Sequence, residues 1–257
     1  ANTGAFWLGY YSQQFPDRYD NPNWVLPECI VVWGNNPLVS NSDGLYGHWI
    51  VDCMKRGSKL VTIDPRLTWL GAKSEHFLQI RPGTDAALAL GMINYIIKED
   101  LYDHEFVDLW CYGFDELAER AAEFPLGKTS EITWIPEEAI AAVARFLAEA
   151  NNPILQRGAA IDQSHAQLPT AQALLADFEI PGNIDKTGAM VNPPSILYYA
   201  AGWGSAFMTE EQYNKRIGLP EYPLLQLGLQ ECETAALNTM PETRTIITPV
   251  AEWQQPT

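Results

Sequence analysis

Basic side chains are scarce in this sequence: 16 Lys and Arg face 32 Asp and Glu among 257 residues, for a formal net charge of −16. Phosphate-coated surfaces repel such a chain, which excludes a general binder of nucleic acid or of anionic membranes. Long apolar runs are missing too. None approaches the roughly 20 residues of a membrane span, and the N-terminus lacks the basic-then-apolar pattern of a secretory signal. Without Gly/Ser or Gln/Asn tracts, wholesale disorder is excluded. The four cysteines, Cys29, Cys53, Cys111 and Cys232, include no CxxC pair and no His at ligand spacing. No self-contained zinc or iron–sulfur site is expected of them; they read as buried free thiols, and nothing requires an oxidising compartment. A GxGxxG fingerprint is absent, which disfavours a conventional NAD-binding first strand. Ala1-Asn2-Thr3-Gly4 lacks an initiator Met and Gln255-Pro256-Thr257 stops in mid-loop, so the expectation is a piece of something larger.

What is present suits a packed core: 47% of the residues are hydrophobic and 11% aromatic. Residues 1–27 are rich in aromatics, Asn, Pro and Gln, the composition of an irregular lead-in from a neighbouring domain. Glu28-Cys29-Ile30-Val31-Val32-Trp33 is a β-branched apolar run, as expected of a strand buried on both faces, and it breaks at Gly34-Asn35-Asn36-Pro37. A helical pattern around Gly47–Arg56, closed by Gly57 at its C′ position, leads to a second buried strand, Lys59–Ile63, and the turn Asp64-Pro65-Arg66. This is a βαβ unit.

A third strand, His76–Ile80, stops at Arg81-Pro82-Gly83-Thr84-Asp85, where Thr84 or Asp85 is expected to cap a helix reaching Ile97. Asp103 and Asp115 are read as caps of two shorter helices, and Pro136-Glu137-Glu138 opens another that runs to about Ala150. Pro153–Gln156 reads as a fourth strand, breaking at Arg157-Gly158. A helix from about Pro169 to Phe178 follows, and one more is expected near Thr209–Ile217. The fold class is α/β: a Rossmann-like, mostly parallel sheet with helices on both faces and irregular N- and C-terminal extensions. The expected division is a lead-in over 1–27, an α/β domain over 28–190 and a weakly patterned extension over 191–257.

Open α/β sheets bind ligands at the carboxyl ends of their strands. Three such ends carry polar clusters here: Gly34-Asn35-Asn36-Pro37, Asp64-Pro65-Arg66 and Arg81-Pro82-Gly83-Thr84-Asp85. The first offers a glycine for close backbone approach, two side-chain amides and a following helix start able to face a phosphate. Asp64, at the tip of the second strand, sits where nucleotide folds place an acid for a ribose or base. Any one cluster is an ordinary turn; three on one sheet edge point to a nucleotide site.

The strings Val32-Trp33-Gly34-Asn35-Asn36-Pro37, Ile63-Asp64-Pro65-Arg66 and Ile80-Arg81-Pro82-Gly83-Thr84-Asp85-Ala86-Ala87-Leu88 together resemble the molybdopterin oxidoreductase (dimethyl sulfoxide reductase) superfamily. Tyr102-Asp103-His104-Glu105-Phe106-Val107 and Gly182-Asn183-Ile184-Asp185-Lys186-Thr187-Gly188 agree with it, the latter departing from the common Gly-Asn-Ile-Gly-Lys-Pro-Gly-Gly at Asp185, Thr187 and Ala189. The resemblance runs from about residue 28 to 190 and is greatest to the acetylene hydratase and catechol dehydroxylase branch.

It implies the central dinucleotide-binding domain of a longer catalytic subunit from anaerobic metabolism. That subunit carries molybdenum or tungsten between two molybdopterin guanine dinucleotides. The family's 4Fe–4S cluster lies in an N-terminal part that this chain does not contain, and its metal-ligating Cys, selenocysteine or Ser falls immediately before Ala1. The implied cofactor-binding residues are Gly34, Asn35, Asn36, Pro37, Asp64, Arg66, Arg81, Gly83, Thr84, Asp85 and Gln163, with no catalytic residue and no metal ligand in the chain. Asp64 or Asp85 would accept the guanine N1–H and N2–H₂ donors, which adenine lacks. Gly34 and Asn36 would lie near the pyrophosphate, and Arg66 and Arg81 serve either phosphate or a structural ion pair. Gln163, Ser164 and His165 fall in a loop the family uses close to the cofactor, while Trp33 reads as core.

The implied partners are the remaining domains of the same enzyme and an iron–sulfur electron-transfer subunit, with no nucleic acid and no membrane span. Location is open between the cytoplasm and export after folding. Two competing readings stand beside this one: a degenerate, cofactor-free structural subunit of a redox complex, and a dehydrogenase domain. Interdomain surfaces left exposed in such a piece promote self-association, so light scattering of the 257-residue chain is expected to show dimers or larger species. A single monomeric species at high concentration would contradict this.

Overall fold

The computed structural model describes residues 25–40, 45–162, 167–184, 186, 188–189 and 209–214. The chain divides into two compact units, Ser12–Pro193 and Ala1–Tyr11 with Pro194–Thr257. The described residues of the latter form one short helix, Glu210–Asn214, inside the range expected for the last helix; the rest of that range lies outside the described residues.

The larger unit is built on four parallel strands: β1 (Cys29–Trp33), β2 (Lys59–Ile63), β3 (His76–Leu78) and β4 (Ile154–Arg157), in the order β3-β2-β1-β4. In register, Val31 of β1 sits opposite Val61 on one side and Leu155 on the other. Every residue of β1 has 0% exposure, so both faces of the sheet are covered and the unbroken apolar run has its physical cause. The helices are α1 (Pro37–Ser40), α2 (Leu45–Arg56), α3 (Asp85–Lys98), α4 (His104–Trp110), α5 (Phe114–Ala122), α6 (Leu126–Thr133), α7 (Glu137–Glu149), α8 (Ala159–Asp162) and α9 (Gln167–Glu179). None among the described residues is long and apolar enough to cross a membrane.

Helix α3 is the hub. Its buried residues Ala87, Leu88, Ala89, Met92, Ile93 and Ile96 span more than one face, and α5, α6, α7 and α9 all pack on it. Asn94, buried there, donates from Nδ2 to the Ala121 carbonyl at the end of α5 (2.8 Å). Gly91 gives α6 its seat: a Cβ at this position would lie 2.6 Å from Thr129 Cγ2.

Some local expectations need correction. Thr84 does occupy the N-cap position of α3, but its hydroxyl donates backwards to the Arg81 carbonyl (2.7 Å) and leaves the helix uncapped by any side chain. Asp115 lies inside the first turn of α5; Gly113, at φ +81°, is the residue before that helix. Asp103 does cap α4, accepting from the Phe106 amide at 2.9 Å. Helices α6 and α8 carry no clear apolar period, and the sequence alone does not predict them. Cys29 and Cys53 are buried free thiols and Cys111 is a half-buried one; Cys232 lies outside the described residues. Burial pushes the Cys53 thiol up to about 12.

The end of α9 holds two acids, Asp177 buried and Glu179 half-buried. Asp177 is 1% exposed, and neither carboxyl oxygen has a hydrogen-bond partner among the described residues. Burial holds its carboxyl well above the usual range, and pushes that of Glu179 up to about 7.

Two stability predictions follow from α3 and α9. In an open helix, Gly→Ala stabilises by about 0.5–1 kcal/mol. Gly91→Ala is instead expected to destabilise by about 1–3 kcal/mol through overpacking against Thr129, with part of the loss recovered by Thr129→Ala. Chemical denaturation measures both, and a stabilised Gly91→Ala chain would refute the close packing. Glu179 keeps its proton in the folded chain up to about 7, whereas the unfolded group releases it near 4.5. Its contribution therefore favours folding below 4.5 and is lost as pH rises from there to about 7. Glu179→Gln should flatten that part of the stability profile; an unchanged slope would show that Glu179 titrates normally.

Candidate functional site

With β2 and β3 on one side of β1 and β4 on the other, the chain changes direction between β1 and β4. That switch point is where an open α/β sheet leaves a crevice at its carboxyl edge. Here the edge is built by hydrogen bonds between strand ends. The Gly34 amide donates to the Ile63 carbonyl (2.9 Å), the Gly158 amide to the Trp33 carbonyl (3.0 Å), and Asn35 Nδ2 to the Arg157 carbonyl (3.3 Å). The residues after β1 are thus tied to the ends of both β2 and β4. Gly34 takes φ +56°, and a Cβ on Gly158 would strike the Gly34 carbonyl oxygen. Only glycine allows the two loops to pass this closely.

Asn36 opens α1, its carbonyl accepting from the Val39 and Ser40 amides (both 2.9 Å). Its side-chain Oδ1 is buried with no hydrogen-bond partner among the described residues. Pro37, buried, is the first residue of α1. This helix has four residues, too few for the dipole expected to face a phosphate; backbone amides and side chains remain for that purpose.

At the end of β2, Asp64 is 5% exposed. Its Oδ1 accepts from the Arg66 amide (2.7 Å), an Asx turn that leaves Arg66 exposed. After β3, the Arg81 amide bonds to the Thr133 carbonyl (3.0 Å) and its guanidinium lies 4.9 Å from the centre of the Trp134 ring. Neither Arg66 nor Arg81 forms a salt bridge among the described residues, so the structural ion pair considered for them is not made there. Gly83, at φ +82° with open space where a Cβ would sit, and Thr84 complete an exposed turn.

Asp85, the first residue of α3, is half-buried, and its Oδ1 accepts from the indole Nε1–H of Trp33 at 2.8 Å. Burial raises its carboxyl above the usual range, partly offset by that indole donor and by its own backbone amide. Trp33 itself is 0% exposed, core as expected, with a polar contact the sequence did not disclose.

The three strand-end clusters therefore share one edge of the sheet. Sequence reasoning missed a fourth contribution, Arg157 and Gly158 at the end of β4. The signal was the break at Arg157-Gly158, unread as a site because the place of β4 beside β1 was unknown. Arg157 is 6% exposed. Gln163, Ser164 and His165 lie outside the described residues, and no group of three or more His, Cys, Asp or Glu placed to hold a metal occurs among the described ones.

A family model, molybdopterin oxidoreductase, matches residues 21–245. Acetylene hydratase of Syntrophotalea acetylenica is 58% identical over 115 residues, which make up 45% of this chain and 16% of that protein. The alpha subunit of an F420-dependent formate dehydrogenase from Methanocaldococcus jannaschii is 33% identical over 168 residues, 65% of this chain and 25% of that one. Among solved structures, acetylene hydratase from Pelobacter acetylenicus superposes with a TM-score of 0.62 at 33% identity, covering 71% of this chain and 24% of its own. The chain thus spans a quarter or less of the length of these relatives. With the parallel sheet and its polar edge in place, and a family match across most of its length, the chain belongs to the molybdopterin oxidoreductase family.

Proposed function

We propose that this chain supplies a molybdopterin-dependent oxidoreductase with the α/β domain, residues 28–190, that binds the guanosine diphosphate end of a molybdopterin guanine dinucleotide. The observation that carries the reading is Asp85: a half-buried carboxylate held at the carboxyl edge of the sheet by the indole N–H of Trp33, the last residue of the central strand. The residues present suit the group. Asp85 is an acceptor, matching a guanine edge that offers N1–H and N2–H₂. Asp64, at the tip of β2, would accept from ribose hydroxyls. Arg66 and Arg81, exposed and without ion pairs among the described residues, would serve phosphate, with Gly34, Asn35, Asn36 and Pro37 along the pyrophosphate; Gly83, Thr84 and Gln163 would complete the set.

In the intact enzyme the molybdenum or tungsten of the cofactor would supply oxygen-atom, hydroxyl or electron transfer. A second dinucleotide, a 4Fe–4S cluster, the protein ligand to the metal and an electron-transfer subunit belong outside this chain, which alone has no turnover. What its own residues do is bind, orient and read the base.

Calorimetric titration tests this with GDP against ADP. Wild type is expected to prefer GDP by about 10- to 100-fold, the range expected when a buried acceptor is left without its donor. Asp85→Ala should abolish the preference, whereas Asp64→Ala should weaken both nucleotides alike because the ribose is common to them. The raised Asp85 carboxyl must be ionised to accept both donors, so GDP affinity should fall with decreasing pH earlier than an ordinary Asp would dictate. Equal affinity for GDP and ADP, or none for either, would remove the guanine site and favour the cofactor-free structural subunit.

A further inference from the structure

Asp85 and Trp33 are 52 positions apart in the chain, yet the Trp33 indole N–H donates to Asp85 Oδ1 at 2.8 Å. The indole ring is fully buried at the end of the central strand, where β2 and β4 flank it on both sides. It has no freedom to follow a moving partner. A half-buried carboxylate on the first residue of a helix, by contrast, could turn about its side-chain bonds and present either oxygen. The rigid donor removes that choice: Oδ1 stays with the indole, and Oδ2 alone is left for the base, its two lone pairs accepting from the guanine N1–H and N2–H₂.

Resting on the guanine reading above, we propose that Trp33 is the positioning residue for base recognition: its indole N–H pins Asp85 through Oδ1 and thereby fixes Oδ2 as the oxygen that meets the guanine edge. Trp33 touches no ligand in this arrangement. It acts through Asp85 alone, so its role is set apart from a purely structural one by how it couples to substitutions there.

The coupling has an unusual sign. In Asp85→Asn the side chain has one acceptor oxygen and one amide donor. The Trp33 N–H claims the oxygen, so the NH₂ takes the place of the second carboxylate oxygen and confronts a guanine donor with a donor. GDP affinity should fall by about 30-fold or more, since a mismatched polar pair is left desolvated. Trp33→Phe alone frees the carboxylate and should weaken GDP by about 3- to 10-fold, the loss of one charge-assisted hydrogen bond's orienting effect. In the double variant the amide is free to turn its oxygen to the base. It should therefore bind GDP about 3- to 10-fold more tightly than Asp85→Asn alone, although each substitution alone is harmful.

Calorimetry of the four chains with GDP, ADP and xanthosine diphosphate measures the cycle, with circular dichroism to report folding. Rescue of Asp85→Asn by Trp33→Phe is the expected result. A double variant as weak as, or weaker than, Asp85→Asn would reduce Trp33 to packing and overturn the proposal. Should Trp33→Phe fail to fold, Asp85→Asn decides alone. A pinned amide has one hydrogen-bonding face, so this variant should bind ADP or xanthosine diphosphate at least about tenfold better than GDP. Retention of GDP within about threefold of the best nucleotide would show a freely turning amide, with the same overturning force. Wild type that ignores the base removes the guanine site itself; wild type that prefers GDP with an additive cycle removes only the role of Trp33.

Discussion

The crossing of two loops at Gly34 and Gly158 is the contact on which the carboxyl edge depends. Because no Cβ fits between the Gly158 α-carbon and the Gly34 carbonyl, the ends of β1 and β4 can lie side by side and exchange the Gly158–Trp33 and Asn35–Arg157 hydrogen bonds. Pry these loops apart and the crevice opens at its base: Gly34 leaves its bond to Ile63, and the ties from β1 to β2 and to β4 slacken together. At the crossing itself the two loops meet backbone to backbone.

Much of this architecture was legible in the sequence because its strongest determinants are local. The runs Cys29–Trp33 and Lys59–Ile63 are continuous and β-branched, and only a sheet covered on both faces accommodates them. Asp103 lay at the head of an apolar pattern and caps it. Helix α6 was not legible because its place is set from outside: the sequence Leu126–Thr133 has β-branched Thr129 and Thr133 and little period, and what holds it is the bare face of Gly91 on α3. Local signals also misled where a tertiary partner took over, as with Thr84, whose hydroxyl turns back to Arg81.

The candidate site shows the same division. Each polar cluster was visible as a turn at the end of a strand, and parallel order was enough to bring three of them to one edge. The fourth, at Arg157 and Gly158, required knowing that β4 adds beside β1 and not beside β3. Nor could spacing disclose that the Trp33 indole reaches Asp85, since a tryptophan in an apolar run looks like core, and by burial it is. The residues with the most specific geometry are those whose partners are farthest away in the chain.

The pairing of β1 with β4 also has a bearing on the order of events in time. Ile30 pairs with Ile154, whereas Ile30 meets Leu60 on its other side. Three of the four strands can therefore pair from an early, contiguous stretch, while β4 lies beyond five further helices in the chain. Contacts between such distant segments close late and slowly. On these grounds β1, β2 and β3 are expected to pair first, leaving one flank of the central strand to be covered by β4. The switch point between β1 and β4 exists only once that last strand has joined the sheet.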